Sequence, residues 1–251
     1  MYSTNLTETQ WQFIKSSLDL SERKRKHDLR QIWNSIHFLV ETGCQWRMLL
    51  SNFPKWQLVY YYYSKWARLE IYDLILEKLR GKVRVKLNQN EEPSLGIMDS
   101  QSVRWGNNRA LNGIDRNKKV KGIKRHVIVD KNGFLIAIMV CVANIHDSKA
   151  ALLLMRVIKE FLCSIKVIVA DGGYRGELAD TVKKRFNYII EVVMRNDKES
   201  KFKPVNKRWV IERTFAWFDN DRRLCRNYEL LAETSENMVK LAAIKLLLNK
   251  I

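Results

Sequence analysis

Helical periodicity dominates the first ninety residues of the chain. Apolar side chains recur every three or four positions after Thr7 and again after Asp28, and both residue types cap the start of helices. The second segment ends at Gly43, a typical helix-stopping residue, and a third segment follows Pro54. Five of the eight tryptophans precede residue 67, so the pattern predicts a small all-helical domain with an aromatic core.

A different pattern begins after the polar stretch from Lys82 to Pro93, which we interpret as a domain boundary. Apolar runs typical of strands alternate here with segments of helical spacing, and Lys-Asn-Gly between two of the runs predicts a hairpin turn. The predicted strands lie at residues 95–99, 125–130, 134–143, 167–170 and 188–194, and the predicted helices at 148–161, 177–186, 205–226 and 236–251. We therefore predict two domains, at residues 1–90 and 91–251.

The order of the predicted elements in the second domain is three strands, a helix, a strand, a helix, a strand and a helix. Ribonuclease H-like cores have this order. We therefore expect the α/β fold class, with a mixed-sheet core of that type preceded in the chain by a small all-α domain. The first and fourth strands are neighbours in such a core. The acids that end these strands, Asp99 and Asp171, are therefore expected to converge.

Charge indicates the class of partner. A net charge of +18 and a pI near 9.8 favour a polyanion, with nucleic acid ahead of an anionic membrane. The longest apolar run, Phe134 to Ala143, is ten residues long, which is too short to cross a bilayer. The first ten residues also lack the pattern of a signal peptide. We expect a cytoplasmic protein with no membrane partner, whose helical domain binds DNA.

Three acids have the residue type and the placement that phosphodiester chemistry needs. Asp99 and Asp171 follow strand-like runs, and Glu212 lies on the long helix predicted at 205–226. Two divalent ions can activate the attacking oxygen and neutralise the leaving one, and Mg²⁺ takes carboxylate ligands. An aspartate after a strand is also a common turn or cap residue, which is the structural alternative for each acid taken alone.

Two strongly basic segments flank these acids. Residues 104–125 contain eight Lys or Arg and one acid, and residues 195–226 contain ten Lys or Arg and five acids. A phosphate backbone near the acids would need such an excess of positive charge. The candidates for DNA contact that lie in these segments are Lys121, Arg125, Arg208, Arg222 and Arg223.

Several segments resemble a known family. LGIMDSQSV, KGIKRHVIVDKNGFLIAIMVCVANIHDSKAA, VIVADGGYRG and RWVIERTFAWFDNDRRLCRNYE are similar to successive signature segments of the DDE transposases of bacterial insertion sequences. ETGCQWRMLLSNFPKW resembles the helical domain that precedes the catalytic core in one branch of that group. The resemblance implies that Asp99, Asp171 and Glu212 bind two Mg²⁺ ions, with Mn²⁺ as a substitute.

The resemblance also implies the reaction and the partners. A protein of this kind binds terminal inverted repeats, cleaves the DNA strands and joins them to target DNA, as a homodimer in the synaptic complex at the bacterial nucleoid. Arg208 matches the arginine of the family's tyrosine-arginine-glutamate-lysine signature. Val205 and Asp219 stand where that signature has its tyrosine and its basic residue. Tyr174, Arg222 and Arg223 are the nearby candidates to replace them.

Two other functions remain open from the residues. A nuclease of the same fold would hydrolyse DNA without joining strands, and inverted repeats around the gene would separate it from a transposase. A DNA-binding protein without catalysis is the other alternative, and the intact acids argue against it.

Overall fold

The computed structural model describes residues 2–18, 26–106, 113–161, 164–174, 177–193 and 208–251. The chain forms two compact units. The helical unit comprises Met1–Gln89, Phe218–Cys225 and Asn237–Ile251, and the sheet unit comprises Asn90–Trp217 and Arg226–Glu236.

Local sequence signals start and stop the helices of the helical unit. Thr7 and Gln10 form a reciprocal capping box at the first helix, and the Asp28 side chain accepts a hydrogen bond from Arg30 N at the second. Gly43 ends the second helix in the left-handed conformation, with φ +69°. The helix starts predicted at Thr7 and Asp28 are thus confirmed. The helices are α1 (Glu8–Ser17), α2 (Leu29–Thr42), α3 (Trp56–Arg68) and α4 (Ile71–Lys86), and α8 (Ala232–Leu248) joins this unit from Asn237 onward.

Aromatic rings form the centre of the helical unit, as the tryptophan distribution predicts. Trp33 is fully buried, and its ring centroid lies 5.1 Å from that of Trp66. The Trp33 indole donates a hydrogen bond to His37 Nε2 over 2.9 Å. Burial, and then the nearby Lys245 ammonium, lower the pKa of His37 to about 3. His37 is therefore a neutral core residue at physiological pH.

Helix α4 was missed in the sequence, and it extends to Lys86 into the segment that we interpret as a boundary. Its buried residues include Arg80 and Arg84 as well as Leu79 and Val83. Tyr72, Ile75, Leu76, Leu79 and Val83 keep helical spacing on the buried face, so this helix has a readable apolar period between its charged residues. The connection to the sheet unit is correspondingly shorter than predicted.

The C-terminal part of the chain completes the helical unit. The Lys245 ammonium of α8 pairs with the buried carboxylate of Asp221, and it lies 3.1 Å from Glu41 Oε2 of α2. The backbone amides of Arg222 and Arg223 donate to carbonyls at the end of α2. The structural units therefore divide the chain differently from the predicted ranges 1–90 and 91–251, because these contacts join residues far apart in sequence.

A six-stranded mixed sheet organises the sheet unit, with strand order β2-β3-β1-β5-β6 and β4 paired to β3. Strand β1 is antiparallel to β3 and parallel to β5. Helix α5 and the sheet bury an apolar core that includes Met98, Leu154 and Ile168. This arrangement confirms the predicted fold class. The strands are β1 (Leu95–Arg104), β2 (Gly113–Asp115), β3 (Val120–Val129), β4 (Leu135–Val142), β5 (Val167–Ala170) and β6 (Ile189–Val192), and the helices are α5 (Asp147–Phe161), α6 (Glu177–Phe186) and α7 (Arg208–Asp219).

The elements with strong local patterns have the predicted bounds, and the others differ. Strand β5 and helix α6 have the predicted bounds, and the turn between β3 and β4 lies at the predicted Lys-Asn-Gly. Strand β1 continues to Arg104 and not to Asp99, and β3 begins at Val120 and not at Arg125, because the two strands pair along this whole length. The three-residue strand β2 is too short to give a pattern. Helix α7 ends at Asp219 and not at Arg226. The chain turns there, and the Asp221 amide donates a hydrogen bond to the Phe218 carbonyl. Residues 205–207 lie outside the described residues. Among the described helices, none has both the length and the apolar composition needed to cross a bilayer.

Replacing Lys245 with Met tests the contribution of the C-terminal helix to the helical unit. The change leaves the buried Asp221 carboxylate without its cation, and removing one partner of a buried pair is strongly destabilising. We expect the free energy of unfolding to fall by about 2 kcal/mol or more, allowing for the partial exposure of Lys245. Urea unfolding followed by circular dichroism measures the loss.

Lys240→Met is the matched control. Lys240 lies on the same helix and pairs with Asp73, whose side chain is 45% exposed. This pair should contribute less than about 1 kcal/mol. Equal losses in the two variants would contradict the role assigned to Lys245.

Candidate active site

Asp99 and Asp171 lie at matching positions on neighbouring parallel strands. The last residues paired between β1 and β5 are Ile97 and Val169, and each aspartate lies two residues further along the chain, Asp99 within β1 and Asp171 directly after β5. The same register therefore places the two acids side by side at the edge of the sheet where β5 ends, on strands roughly 5 Å apart. Both side chains are partly exposed. The predicted adjacency of these two strands is confirmed.

A single-turn helix, Gly172–Tyr174, follows Asp171 and places Tyr174 in the interior. The Tyr174 side chain is 2% exposed. Burial, and then the charges of Asp147, Asp99 and Asp171, raise its pKa well above the usual value. Tyr174 thus remains a neutral phenol among three carboxylates.

Asp147 is a further acid at this site that sequence reasoning missed. It is the first residue of α5, and its Oδ1 accepts hydrogen bonds from Ser100 Oγ over 3.3 Å and from Lys124 Nζ over 3.0 Å. An acid at the start of a helix is common, so its position in the sequence gave no sign of these contacts.

Buried polar groups surround Lys124 on the strand beside β1. Lys124 Nζ lies 3.6 Å from Asp115 Oδ2, which accepts a 2.6 Å hydrogen bond from Ser102 Oγ. Burial opposes ionisation of Asp115, but the hydrogen bonds from Ser102 and from the backbone, with the charge of Lys124, lower its pKa overall. Burial lowers the pKa of His126 to about 4 against the attraction of Asp147. Lys124 therefore lies between two acids and beside a neutral imidazole.

Glu212 lies exposed on α7, which is fixed to the β3–β4 turn. Arg213 Nη2 donates to the Asn132 carbonyl over 2.7 Å, and Thr214 Oγ1 donates to the Gly133 carbonyl over 2.9 Å. The described residues contain no group of three His, Cys, Asp or Glu side chains that could hold one metal ion. The structure thus brings the two aspartates to one edge without placing Glu212 in a group of three with them.

The candidates for DNA contact differ in exposure. Lys121 on β3 and Arg222 are exposed. Arg125, Arg223 and Tyr174 have almost no exposed surface, and Arg223 Nη1 instead donates to the Cys44 carbonyl over 3.1 Å. These three side chains therefore present almost no surface to DNA. Arg208 begins α7, its side chain lies outside the described part of the structure, and Val205 is outside it altogether. Asp219 is exposed at the end of α7.

Comparison with known proteins identifies the family. A family model described as "Transposase DDE domain" matches residues 90–246, which is more than half of the chain. The chain belongs to the DDE transposase family. A second model, "Putative transposase of IS4/5 family", matches residues 6–76. The chain is also 31% identical over 154 residues, covering 58% of it and 70% of the relative, to "Putative transposase for insertion sequence element IS402" of Burkholderia cepacia.

Membership of this family confirms the resemblance read from the motifs. This DDE transposase of insertion sequences is an enzyme that acts on DNA, and the family depends on divalent metal ions. The donor chemistry of the site agrees, since Mg²⁺ is commonly bound through one or two carboxylates with water and phosphate as the other ligands. Asp99 and Asp171 supply two such carboxylates at one sheet edge.

Replacing Gly133 with Ala tests the attachment of α7 to the hairpin. Gly133 has φ +85°, and a Cβ there would lie 2.6 Å from Thr214 Oγ1 on α7. Backbone strain of about 1 kcal/mol or more and displacement of the helix that carries Glu212 should follow. We expect DNA cleavage by this transposase to fall at least tenfold in a gel assay. Lys131→Ala, at an exposed position of the same turn, should cleave normally, and equal rates for both variants would show that α7 is not held here.

Proposed function

We propose that this transposase binds the terminal inverted repeats of an insertion sequence, cleaves the DNA strands at the ends and joins them to target DNA. The observation that carries the proposal is the matched placement of Asp99 and Asp171, each two residues beyond the last residue paired between β1 and β5. This position suits such acids, because the sheet fixes the backbone while the side chains stay partly exposed.

Asp99, Asp171 and Glu212 would hold two Mg²⁺ ions, with Mn²⁺ as a substitute. Bound there, the ions would activate the attacking oxygen and neutralise charge on the leaving oxygen of the phosphodiester. Asp99 and Asp171 are the two ligands whose backbone positions the sheet fixes. Glu212 is assigned from its place in the segment RWVIE on α7, and it would approach the aspartates when metal and DNA are bound.

Basic side chains of the sheet unit would hold the phosphate backbone near these acids. Lys121 is exposed on β3, the strand that pairs with the Asp99 strand. Arg208 opens the helix that carries Glu212, and the family pattern assigns it a contact close to the cut. Each phosphate neutralised by such a side chain releases counterions and favours binding.

Recognition of the terminal repeats is assigned to the helical unit, and α3 presents the best surface for it. Val59, Tyr63 and Trp66 bury one face of α3. No Asp or Glu occurs from residue 42 to residue 69, so negative charge is absent from the sequence around the opposite face. The exposed residues of α3 are Gln57, Tyr60, Tyr61, Lys65 and Arg68. Such a mixture of cations, an amide and aromatic rings suits contact with phosphates and bases.

Joining two DNA ends requires both to be held in one complex, and we propose that a homodimer does this at the nucleoid. Joining is the step that separates a transposase from a nuclease of the same fold.

Neutralising Asp99, Asp171 or Glu212 in turn should abolish catalysis. We expect Asp99→Asn, Asp171→Asn and Glu212→Gln each to lower Mg²⁺-dependent cleavage and strand transfer to background, because each variant loses a charged metal ligand. Binding to DNA from the ends of the element, measured by gel shift, should stay within a few-fold of the wild type. If one variant still cleaves DNA, the residue replaced in it is not a metal ligand. If the wild type cleaves DNA without joining strands, the protein is a nuclease of the same fold and not a transposase that joins ends.

Replacing Lys65 and Arg68 together with Gln tests the α3 surface. Each phosphate contact contributes about 0.9 to the slope of log K against log salt concentration, so the double variant should flatten the slope by about 2. Fluorescence anisotropy with end DNA at several salt concentrations measures this slope. Lys78→Gln, at an exposed position on α4, is the control and should leave the slope unchanged. Equal slopes for the double variant and the wild type would show that Lys65 and Arg68 of α3 do not contact the phosphates of the end DNA.

A further inference from the structure

The carboxylate of Asp147 connects helix α5 to two strands of the sheet. Its Oδ1 accepts a hydrogen bond from Ser100 Oγ on β1 and another from Lys124 Nζ on β3, over 3.3 Å and 3.0 Å. Ser100 directly follows Asp99, and its amide donates to Asp99 Oδ1 over 2.7 Å. Asp147 thus holds β1 one residue beyond the first aspartate of the active site.

The strand register explains how Asp147 reaches this position. Ser100 is paired with His126, and Ser102 with Lys124. Alternate residues of a strand share a face, so these four side chains lie on one face of the sheet. The contacts of Asp147 with Ser100 and Lys124 show that the start of α5 covers that face.

Two polar atoms of this region are buried and directed toward acids. Lys124 Nζ is held between Asp147 and Asp115, and loss of Asp147 would leave it with one carboxylate at 3.6 Å. His126 Nδ1 lies 3.9 Å from Asp147 Oδ1 and has no hydrogen-bond partner among the described residues. A buried cation that loses a partner favours rearrangement of its neighbours. Removing the Asp147 charge should therefore disturb β1 and β3 together.

Tyr174 links Asp147 to the second aspartate of the active site. Its side chain is buried in the turn that follows Asp171, and its hydroxyl is subject to the charges of Asp147, Asp99 and Asp171. The charges of Asp147 and of the two active-site aspartates thus all raise the pKa of one buried phenol.

We propose that Asp147 is a positioning residue of this transposase, holding β1 directly beside Asp99 through Ser100 and Lys124 so that Asp99 faces Asp171 correctly for metal binding. This inference rests on the proposed function, because Asp99 and Asp171 are the groups that it positions. Asp147 itself is not a ligand in this account, because its Oδ1 already accepts hydrogen bonds from Ser100 and Lys124. Loss of a group that orients metal ligands typically lowers affinity or activity by about 10- to 100-fold.

The test measures Mn²⁺ binding to the full chain without DNA, by electron paramagnetic resonance of free Mn²⁺. We expect Asp147→Asn to weaken Mn²⁺ binding at least about tenfold. Asp180→Asn is the matched control, since it removes the same charge from an exposed position on α6, and it should bind as the wild type does. Circular dichroism at the assay temperature establishes that each variant is folded.

Ser100→Ala is the second variant, in case Asp147→Asn does not fold. It deletes one hydroxyl and breaks the link between Asp147 and β1, and it should weaken Mn²⁺ binding several-fold in a folded protein. Lowered affinity in either folded variant, with Asp180→Asn unchanged, supports the proposal. Wild-type affinity in Ser100→Ala, and in Asp147→Asn where it folds, overturns it.

One further arm separates this proposal from the function on which it rests. Asp99→Asn should remove most of the Mn²⁺ binding, because a ligand itself is lost. Undiminished binding in Asp99→Asn would instead overturn the proposed metal site, and the positioning role of Asp147 would fall with it.

Discussion

The parallel pairing of β1 with β5 is the constraint on which the site depends. Asp99 and Asp171 are 72 residues apart in the sequence, and they meet only because Ile97 pairs with Val169 two residues earlier. A slip of one residue in this register would turn one aspartate to the opposite face of the sheet. Ile168, which is fully buried, belongs to the apolar core under α5 and opposes such a slip. Asp99 and Asp171 come directly after the residues of β1 and β5 that belong to this apolar core.

Concentrating carboxylates at one edge of a sheet creates repulsion that the surrounding residues must offset. Lys124 supplies a buried positive charge between Asp115 and Asp147, and Tyr174 adds no charge of its own because burial keeps it neutral. The two ion pairs of Lys124 stabilise this part of the sheet. A divalent ion would then complete the neutralisation when it binds, and the net charge of +18 distributed over the chain favours approach of the DNA.

Local patterns predicted much of this structure, and contacts between distant residues account for what they missed. Asp99 and Asp171 could be found because each ends an apolar run, and β5 and α6 have the predicted bounds. Lys245, by contrast, completes the helical unit through ion pairs with residues 204 and 24 positions away. Asp147 looked like an ordinary first-turn acid of a helix until β1 and β3 were seen beside it. Arg125 looked like a DNA contact because its segment is basic, yet its side chain is 1% exposed. Sequence patterns do not distinguish a buried cation from a surface one.

Anomalous diffraction from crystals of the transposase grown with Mn²⁺ and DNA from the ends of its element tests the central claim most directly. The account predicts a Mn²⁺ peak bound by carboxylate oxygens of both Asp99 and Asp171. Glu212 should bind the same or an adjacent ion, while Asp147 keeps its contact with Ser100 and stays outside the coordination shell. A metal ion bound elsewhere, or one that leaves either aspartate unbound, would contradict the account.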